Sequence, residues 1–409
     1  NYIVDKLRKS GLLYGFEEYD APVLEPLELF LAKSGSELAR KQSYNFTDKG
    51  GRQLIMRPEM TPSLARMVAG GRELVNPIKW MSFPLCYRYE RTQRGRVREF
   101  LQFNLDILGC NNLNAEVEVI LVLERLFSAL GATTEQYQIA FSSREFAAEV
   151  FRKSGLCKQE IILSYSIIDK KSKMEQEEWL KYLQENIPDS AKSEAVRKFA
   201  NCDSLEVPWL LELMKDNLAY NELLEFSFLL KDTGSKAAKF DAGVVRGLDY
   251  YTGIVFEVMD TGGENRRAIC GGGRYDDLVS IFGEREVSGV GFGLGILTLK
   301  LFLETYGLIP ASILNASTAD LYLAVISADE LGYALQVAEE LRDSGITVEM
   351  DILGKNLSRQ FKLAEKRNIR FMAIVGGDEA ATATVSLKDM NSGAKETLKL
   401  GDIPAFIKQ

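Results

Sequence analysis

The chain of 409 residues contains no histidine. Histidine supplies the base of Ser–His–Asp triads, is the commonest metal ligand, and is the usual pH switch near neutrality. Its absence excludes all three, so any chemistry must use carboxylates, arginines, hydroxyls or bound metal ions. Cysteine is also scarce. The five cysteines form no C-x-x-C pair, which argues against a disulfide framework or a zinc site and fits a reducing cytoplasm.

The sequence also lacks an apolar run of about 18 residues, so it predicts no transmembrane helix. It shows neither a signal-peptide pattern nor the P-loop pattern G-x-x-x-x-G-K-[ST]. The net charge is −8, from 50 Lys and Arg against 58 Asp and Glu. This balance argues against a protein that coats nucleic acid indiscriminately, but it allows local basic patches.

Residues 79–109 read as two extended segments joined by a basic centre. Aromatic and β-branched residues favour strands, and the polar, Gly-containing gap predicts a hairpin with a long loop. Side chains two apart share a strand face, so Arg88 and Glu90 are predicted to point the same way on the first strand. Phe100, Gln102, Asn104 and Asp106 share a face of the second. This polar face indicates a binding site, although a solvated hairpin tip is the open alternative.

Three further segments are candidate parts of a site, and the first two also allow a structural interpretation. The segment Arg57-Pro58-Glu59-Met60-Thr61 is either part of a site or a helix cap. The three glycines before Arg274 permit close approach of a ligand, or form a tight turn. The glycines of residues 289–295 precede an apolar helix, as in sites that hold a nucleotide at a helix start.

Periodicity predicts a two-part chain. Helical patterns without strand signals extend from about residue 144 to about residue 230, which indicates a helical insertion. Strand patterns occur on both sides of it. The chain begins inside a helical pattern, which predicts further residues upstream. After a polar boundary near residues 310–319, strands and helices alternate, as in a parallel α/β sheet. There a basic helix face, which is either solvated or a phosphate-backbone contact, carries Lys355, Arg359, Lys362 and Lys366.

Together these segments resemble the histidyl-tRNA synthetase family of class II aminoacyl-tRNA synthetases. The matching motifs occur in the family's order: RPEMT (57–61), YRYERTQRGRVREFLQFNLDILG (87–109), RGLDYYTG (246–253), CGGGRYD (270–276) and GVGFGLG (289–295). The resemblance implies an α+β fold. Its catalytic domain, residues 1–312, would have an antiparallel sheet flanked by helices and would contain the helical insertion. It also implies an α/β anticodon-binding domain over residues 318–409, a homodimer, and a cytoplasmic enzyme.

The resemblance also implies the substrates and the roles of individual residues. ATP (with Mg²⁺ and no protein-held metal site), L-histidine and tRNA(His) would bind, and the catalytic residues would be Arg88 and Arg246. The ATP-binding residues would be Arg88, Glu90, Arg96, Phe100 and Arg274. The histidine-binding residues would be Glu59, Thr61, Arg88, Gln102, Asp106, Arg246, Tyr250 and Tyr251. The tRNA-binding residues would be Arg94, Lys355, Arg359 and Lys362.

The implied reaction is compatible with a chain that lacks histidine. Adenylation is the attack of an already ionised carboxylate on the α-phosphate of ATP, so the site must neutralise and align two anions rather than remove a proton. Arginine suits both groups, because its fork matches phosphate and carboxylate geometry.

Two positions depart from the family pattern. The family commonly ends its third motif with an arginine that contacts ATP phosphates, and this chain has Thr298 there. Either Arg274 or a loop cation substitutes, or ATP binds weakly. Asp106 stands where glutamate is usual. These departures leave a non-catalytic paralogue open as an alternative. One form is the regulatory subunit of ATP phosphoribosyltransferase, and the other is a synthetase-like domain that binds tRNA as a regulator.

Overall fold

A computed structural model describes residues 2–31, 41–71, 74–171, 174–245, 250–265, 267–283 and 286–407. The chain divides into two compact units, Asn1–Leu308 and Ile309–Gln409, and each is described by itself. No helix among these described ranges is both long and apolar enough to cross a membrane.

The first unit is built around a large sheet. Its strands are β1 Glu17–Glu18, β2 Leu24–Pro26, β3 Tyr44–Thr47, β4 Gln53–Met56, β5 Ile78–Ser82, β6 Leu85–Tyr87, β7 Glu99–Leu108, β8 Tyr137–Ser143, β9 Ala238–Phe240, β10 Ile254–Asp260, β11 Cys270–Arg274 and β12 Gly289–Gly295. Nine of them form one sheet in the order β1-β5-β7-β12-β11-β10-β8-β9, with β6 beside β7. The strands from β5 to β8 in this order are antiparallel, as predicted. β2, β4 and β3 form a separate small sheet.

Helices flank this sheet and fill the insertion. They are α1 Tyr2–Leu13, α2 Leu27–Leu31, α3 Thr61–Gly70, α4 Asn114–Ala129, α5 Arg144–Lys153, α6 Lys158–Lys171, α7 Gln176–Asn186, α8 Ser190–Ala200, α9 Pro208–Leu213, α10 Leu218–Asp232 and α11 Ile296–Thr305, with a 3₁₀ turn at Val279–Ile281. The helices α5 to α10 follow one another between β8 and β9, so the helical insertion is confirmed. Helices α8 and α10 begin at the polar caps Asp189 and Asn217, whose side chains accept from backbone N–H groups of the first turn.

Strand β7 separates the core from the site. Phe103, Leu105 and Ile107 point to one face and are buried, where β7 packs against α4. Complete burial of each such side chain contributes about 2 kcal/mol. The alternate residues, among them Asn104 and Asp106, occupy the opposite face, as the two-residue period predicts. Both are also almost fully buried, so this polar face is enclosed rather than open to solvent.

The predicted hairpin forms, but its first strand is shorter than expected. β6 ends at Tyr87, so the prediction that Arg88 and Glu90 lie on a strand is wrong. The backbone N–H of Glu90 donates to the carbonyl oxygen of Arg88 at 2.9 Å, which closes a turn that an extended strand cannot make. Arg88 N still donates to the carbonyl oxygen of Arg98 at 2.8 Å. The base of the loop is therefore fixed.

The second unit is an α/β domain, as predicted. Its sheet has the order β14-β13-β15-β16-β17, with β13 Leu321–Val325, β14 Val348–Met350, β15 Phe371–Val375, β16 Thr384–Asp389 and β17 Lys395–Lys399. The first three are parallel and the last two form an antiparallel hairpin. Its helices are α12 Ala311–Leu314, α13 Leu331–Asp343, α14 Leu357–Lys366, α15 Gly377–Thr382 and α16 Ile403–Ile407, with 3₁₀ turns at Ala328–Glu330 and Leu400–Asp402.

Candidate active site

A cleft of about 1340 Å³ opens over the polar face of the sheet in the first unit. Its lining includes four of the five predicted ATP-binding residues, Arg88, Glu90, Arg96 and Phe100, together with Gln102. Residues of the insertion helices α6 and α7 form another part of the wall. The hairpin, the glycine strands and the insertion therefore share one concave surface of the size that small-molecule sites have.

Arg88 is held in place from two sides at the base of the loop. Its Nε donates to the carbonyl oxygen of Pro58 at 3.0 Å, and its guanidinium lies 5.2 Å from the ring centroid of Phe100. The segment that carries Pro58 is itself fixed by buried Arg57, whose Nη1 donates to the carbonyl oxygen of Ala21 at 2.5 Å. Arg88 therefore presents a positioned cation to the cleft, and an arginine fork suits a phosphate or carboxylate there.

Arg96 and Glu90 form an ion pair across the loop. Arg96 Nε lies 2.5 Å from Glu90 Oε2, and the arginine side chain is 41% exposed. The Glu90 side chain is only 9% exposed, so the pair is partly buried. A bound triphosphate that attracts Arg96 must therefore offset the loss of this contact to Glu90.

Behind the cleft, two buried carboxylates are each held by a tyrosine. Tyr250 Oη donates to Glu59 Oε2 at 3.0 Å, and Tyr275 Oη donates to Asp106 Oδ1 at 2.7 Å. Asp106 Oδ2 has no hydrogen-bond partner in the described part of the chain. A buried acceptor without a partner is costly, and a ligand N–H that reaches it offsets this cost.

Burial raises the pKa of Asp106 to about 7, and the hydrogen bond from Tyr275 opposes this shift. Burial also raises the pKa values of Tyr250, Tyr251 and Tyr275, so their hydroxyls remain neutral at physiological pH. The ring centroids of Tyr250 and Tyr251 are 5.0 Å apart. The result is an aromatic pocket with neutral donors around carboxyl groups, which suits a small polar ring.

Tyr275 is a site residue that the sequence analysis did not assign. The motif CGGGRYD was recognised, but only Arg274 was given a role. Adjacent residues of an extended segment point to opposite faces, so Arg274 and Tyr275 cannot both face the site. The contact of Tyr275 with Asp106 decides which of them does.

The ATP-binding role predicted for Arg274 is not supported. Its side chain is buried away from the cleft, where both Nε and Nη2 donate to the buried carboxylate of Glu116 on α4. Nη1 donates to Asp276 Oδ1 at 3.1 Å and to the carbonyl oxygen of Cys110 at 3.1 Å. The backbone oxygen of Arg274 accepts from Thr252 N at 2.8 Å. Arg274 therefore anchors the segment that carries Tyr250 and Tyr251.

The glycines of β12 make room for these side chains. A Cβ atom on Gly291 would overlap Asp106 Oδ1 and the carbonyl oxygen of Leu105, and one on Gly293 would overlap Gln102 Nε2. At the start of the same strand, a Cβ on Gly289 would overlap the ring of Tyr275. The glycine run is thus a requirement of the site's packing.

Two other predicted residues have different outcomes. Thr61 is the first residue of α3 and is buried. It follows Glu59 by two positions in the sequence. Arg246 lies outside the described residues, so its predicted role stays a prediction. In the described part of the chain, no group of three or more His, Cys, Asp or Glu residues could hold a metal ion.

The predicted basic face in the second unit lies on α14. Arg359, Lys362 and Lys366 are exposed and Lys355, just before the helix, is half-buried. The opposite side is fixed by buried Gln360, whose Nε2 donates to the carbonyl oxygen of Val325 at 2.8 Å. Asn356 caps the helix by accepting from Arg359 N at 3.0 Å. The cations therefore project from a rigid helix, and Arg94 is likewise exposed on the loop of the first unit.

An antiparallel sheet whose hairpin arginine lies over an aromatic ring, beside a glycine strand that leads into a helix, defines a class II aminoacyl-tRNA synthetase. Comparisons with known proteins identify the family. A family model described as histidyl-tRNA synthetase matches residues 2–299, and one described as anticodon binding domain matches residues 320–409. This chain belongs to the histidyl-tRNA synthetase family.

Individual relatives agree with this assignment. The histidine–tRNA ligase of Leptospira biflexa is 36% identical over 415 residues, which cover 100% of this chain and 93% of the relative. The histidine–tRNA ligase of Opitutus terrae is 38% identical over 100% of this chain and 94% of its own. The crystal structure of histidyl-tRNA synthetase from Nostoc sp. PCC 7120 superposes with a TM-score of 0.81 at 25% identity, over 100% of this chain and 94% of that one.

Proposed function

We propose that this chain is a histidine–tRNA ligase that activates L-histidine with ATP and transfers it to the 3′ end of tRNA(His). The observation that carries the proposal is the position of Arg88, held between the carbonyl oxygen of Pro58 and the ring of Phe100 at the base of the cleft. The catalytic domain over residues 1–312 and the anticodon-binding domain over residues 318–409 are part of the proposal, as are a homodimer and a cytoplasmic location.

In the first step, a carboxylate oxygen of histidine bonds to the α-phosphorus of ATP. The bond from that phosphorus to the bridging oxygen of the β-phosphate breaks, and pyrophosphate leaves. Arg88 and Arg246 neutralise the two anions as they approach and hold them in line. In the second step, a hydroxyl of the terminal tRNA ribose attacks the carbonyl carbon of the adenylate and AMP leaves.

The remaining residues bind and orient the substrates. Glu90 and Phe100 frame the adenine, and Arg96 contacts the γ-phosphate. Glu59, Thr61 and Gln102 hold the amino group of histidine, while Tyr250 and Tyr251 line the pocket of its ring. Asp106 accepts an N–H of the substrate through Oδ2, the buried oxygen that lacks a partner among the described residues. A site built to pair a ring N–H rejects amino acids that lack one.

Mg²⁺ would enter with ATP rather than occupy a site of its own. It keeps several waters and binds through substrate phosphates and one or two carboxylates, and Glu257 is among the carboxylates that line the cleft. The ion would neutralise phosphate charge and orient the pyrophosphate that leaves.

A binding surface for tRNA is proposed at Arg94 and on α14. Lys355, Arg359 and Lys362 would contact phosphates there, which positions the tRNA without reading its sequence. The non-catalytic paralogue is not favoured, because the relatives that match over the full length are named histidine–tRNA ligases.

Histidine-dependent exchange of pyrophosphate into ATP tests the proposal on the full chain. We expect exchange with histidine and none with other amino acids. Arg246→Ala should slow adenylation far more than it weakens histidine binding, because its charge acts on the transition state. Arg197→Ala, which removes an exposed arginine of the insertion, is the control and should leave exchange unchanged. Absence of exchange above background would refute the ligase function, and equal losses of rate and histidine affinity in Arg246→Ala would refute the role of Arg246.

A further inference from the structure

The start of helix α11 has no charge where the family has an arginine. Its first residues are Ile296, Leu297 and Thr298. The hydroxyl of Thr298 is used locally, because Oγ1 donates to the carbonyl oxygens of Gly295 at 2.8 Å and of Ile269 at 3.3 Å. This helix start therefore brings no cation to the cleft.

This neutral position faces the ATP-binding loop. A Cβ atom on Gly95 would lie 3.7 Å from Thr298 Cγ2 and 3.4 Å from Leu301 Cδ1. Gly95 stands next to Arg96, the residue proposed to contact the γ-phosphate. The arginine charge that Thr298 replaces is therefore absent from the phosphate end of the cleft, where it would act on ATP.

Arg267 lines the same cleft, in the segment that leads into β11. The carbonyl oxygen of Ile269 accepts from both Thr298 Oγ1 and Gly295 N, so the entry to β11 is bonded to the start of α11. Arg267 lies two residues before Ile269, so their Cα atoms are at most about 7 Å apart. It is half-buried and lines the cleft together with Arg96 and Thr298.

The charge of the cleft makes such a cation necessary. Among the described residues that line it, carboxylates outnumber cations. The carboxylates are Glu90, Asp169, Glu175, Glu178, Asp241, Glu257 and Asp260, and the cations are Arg88, Arg96, Lys171 and Arg267. A triphosphate adds further negative charge to this lining, so each cation there, Arg267 included, matters for its binding.

We propose that Arg267 binds the ATP phosphates in place of the family arginine that Thr298 replaces. The inference deepens the proposed ligase function and rests on it. It also explains how the chain can lack the third-motif arginine although Arg274, the other cation expected to substitute, is bonded to Glu116. The charge has moved from the helix to the segment that precedes β11, and the phosphate end of the cleft keeps its cation.

The test is a substitution and its rescue, measured by histidine-dependent pyrophosphate exchange on the full chain. Arg267→Ala should raise the KM for ATP about tenfold or more, as expected for a lost charged hydrogen bond, and leave the KM for histidine within about twofold. The KM for ATP of Arg267→Lys should lie between that of the parent chain and that of Arg267→Ala. Arg267→Ala combined with Thr298→Arg should regain most of the ATP affinity. Lys300→Gln on an exposed side of α11 is the matched control and should match the parent chain.

An unchanged KM for ATP in Arg267→Ala would overturn the inference. So would equal increases in both KM values, or no recovery in the double variant while its thermal unfolding matches that of the parent. A parent chain without exchange would instead refute the ligase function. Calorimetric titration with Mg·ATP would then decide the inference separately: equal ATP affinity of the parent and Arg267→Ala overturns it, and about tenfold weaker binding by the variant supports it.

Discussion

Asp106→Asn tests the electrostatics of the buried pocket in the absence of substrate. The carboxyl has a pKa of about 7 in the folded chain against 3.8 in the reference state, and burial is the cause. A carboxyl whose folded pKa is raised gives its full stabilisation below the unfolded pKa and loses it as the pH rises through the folded value. From pH 5 to pH 8 the loss is about 3 kcal/mol, since nearly two units of pH below the folded pKa contribute 1.36 kcal/mol each.

An amide at this position does not titrate, so the variant should not show this loss. The free energy of unfolding of the parent minus that of Asp106→Asn should therefore fall by about 3 kcal/mol between pH 5 and pH 8. Urea titrations followed by tryptophan fluorescence measure it, because Trp80, Trp179 and Trp209 all belong to the first unit. Trp80 is also the register partner of Asp106.

Asp260→Asn is the matched control. Asp260 is also buried, and burial alone would raise its pKa, but hydrogen bonds from Tyr306, Asn265 and Gly262 lower it below the ordinary value. Its carboxylate is thus ionised throughout pH 5–8, and the cost of this substitution should be constant over that range. A constant difference for Asp106→Asn as well would refute the reasoning, since it would mean that Asp106 does not titrate in this window.

Three other substitutions have expected results. Charge reversal of the basic face combines three changes, Lys355→Glu, Arg359→Glu and Lys362→Glu. It should raise the KM for tRNA in aminoacylation and leave pyrophosphate exchange unchanged. A fall in exchange would contradict a pure tRNA role. Gly291→Ala should lower the free energy of unfolding by about 1–3 kcal/mol through overpacking. Gly70→Ala, at the end of α3 in the same unit, whose Cβ meets open space, should change it by less than about 1 kcal/mol, and equal urea midpoints for the two would refute the packing argument. Glu116→Gln should cost about 3–5 kcal/mol, because it removes the buried carboxylate that pairs with Arg274 and leaves only the more exposed Asp276. Glu194→Gln, at an exposed pair, should cost less than about 1 kcal/mol, and a similarly small loss for Glu116→Gln in the same titration would be inconsistent with a buried pair.

Local patterns predicted the features that depend on neighbours in the chain. The two-residue period of residues 100–106 correctly separates the core face of β7 from its polar face. The helical insertion and the alternating elements of the second unit follow in the same way from periodicity. These elements have long, strongly patterned sequences, so tertiary packing had little to override.

The features that depend on distant residues were not predictable in this way. Arg274 and Glu116 are 158 positions apart, and no local signal pairs a strand arginine with a helix glutamate. The choice between Arg274 and Tyr275 as the inward residue required knowledge of which strand face meets the site. The end of β6 at Tyr87 was missed because its cause is a turn bond, from Glu90 N to the oxygen of Arg88, rather than a change in composition.

The glycines of β12 have a consequence for how this protein can vary. The volume above Gly291 and Gly293 is already occupied by side chains of β7, namely Asp106 and Gln102. A larger residue on one strand is accommodated only if its partner on the other becomes smaller. Any route to a different amino-acid specificity through this pair of strands therefore passes through coupled double substitutions, and single-site libraries at either glycine will contain few folded members.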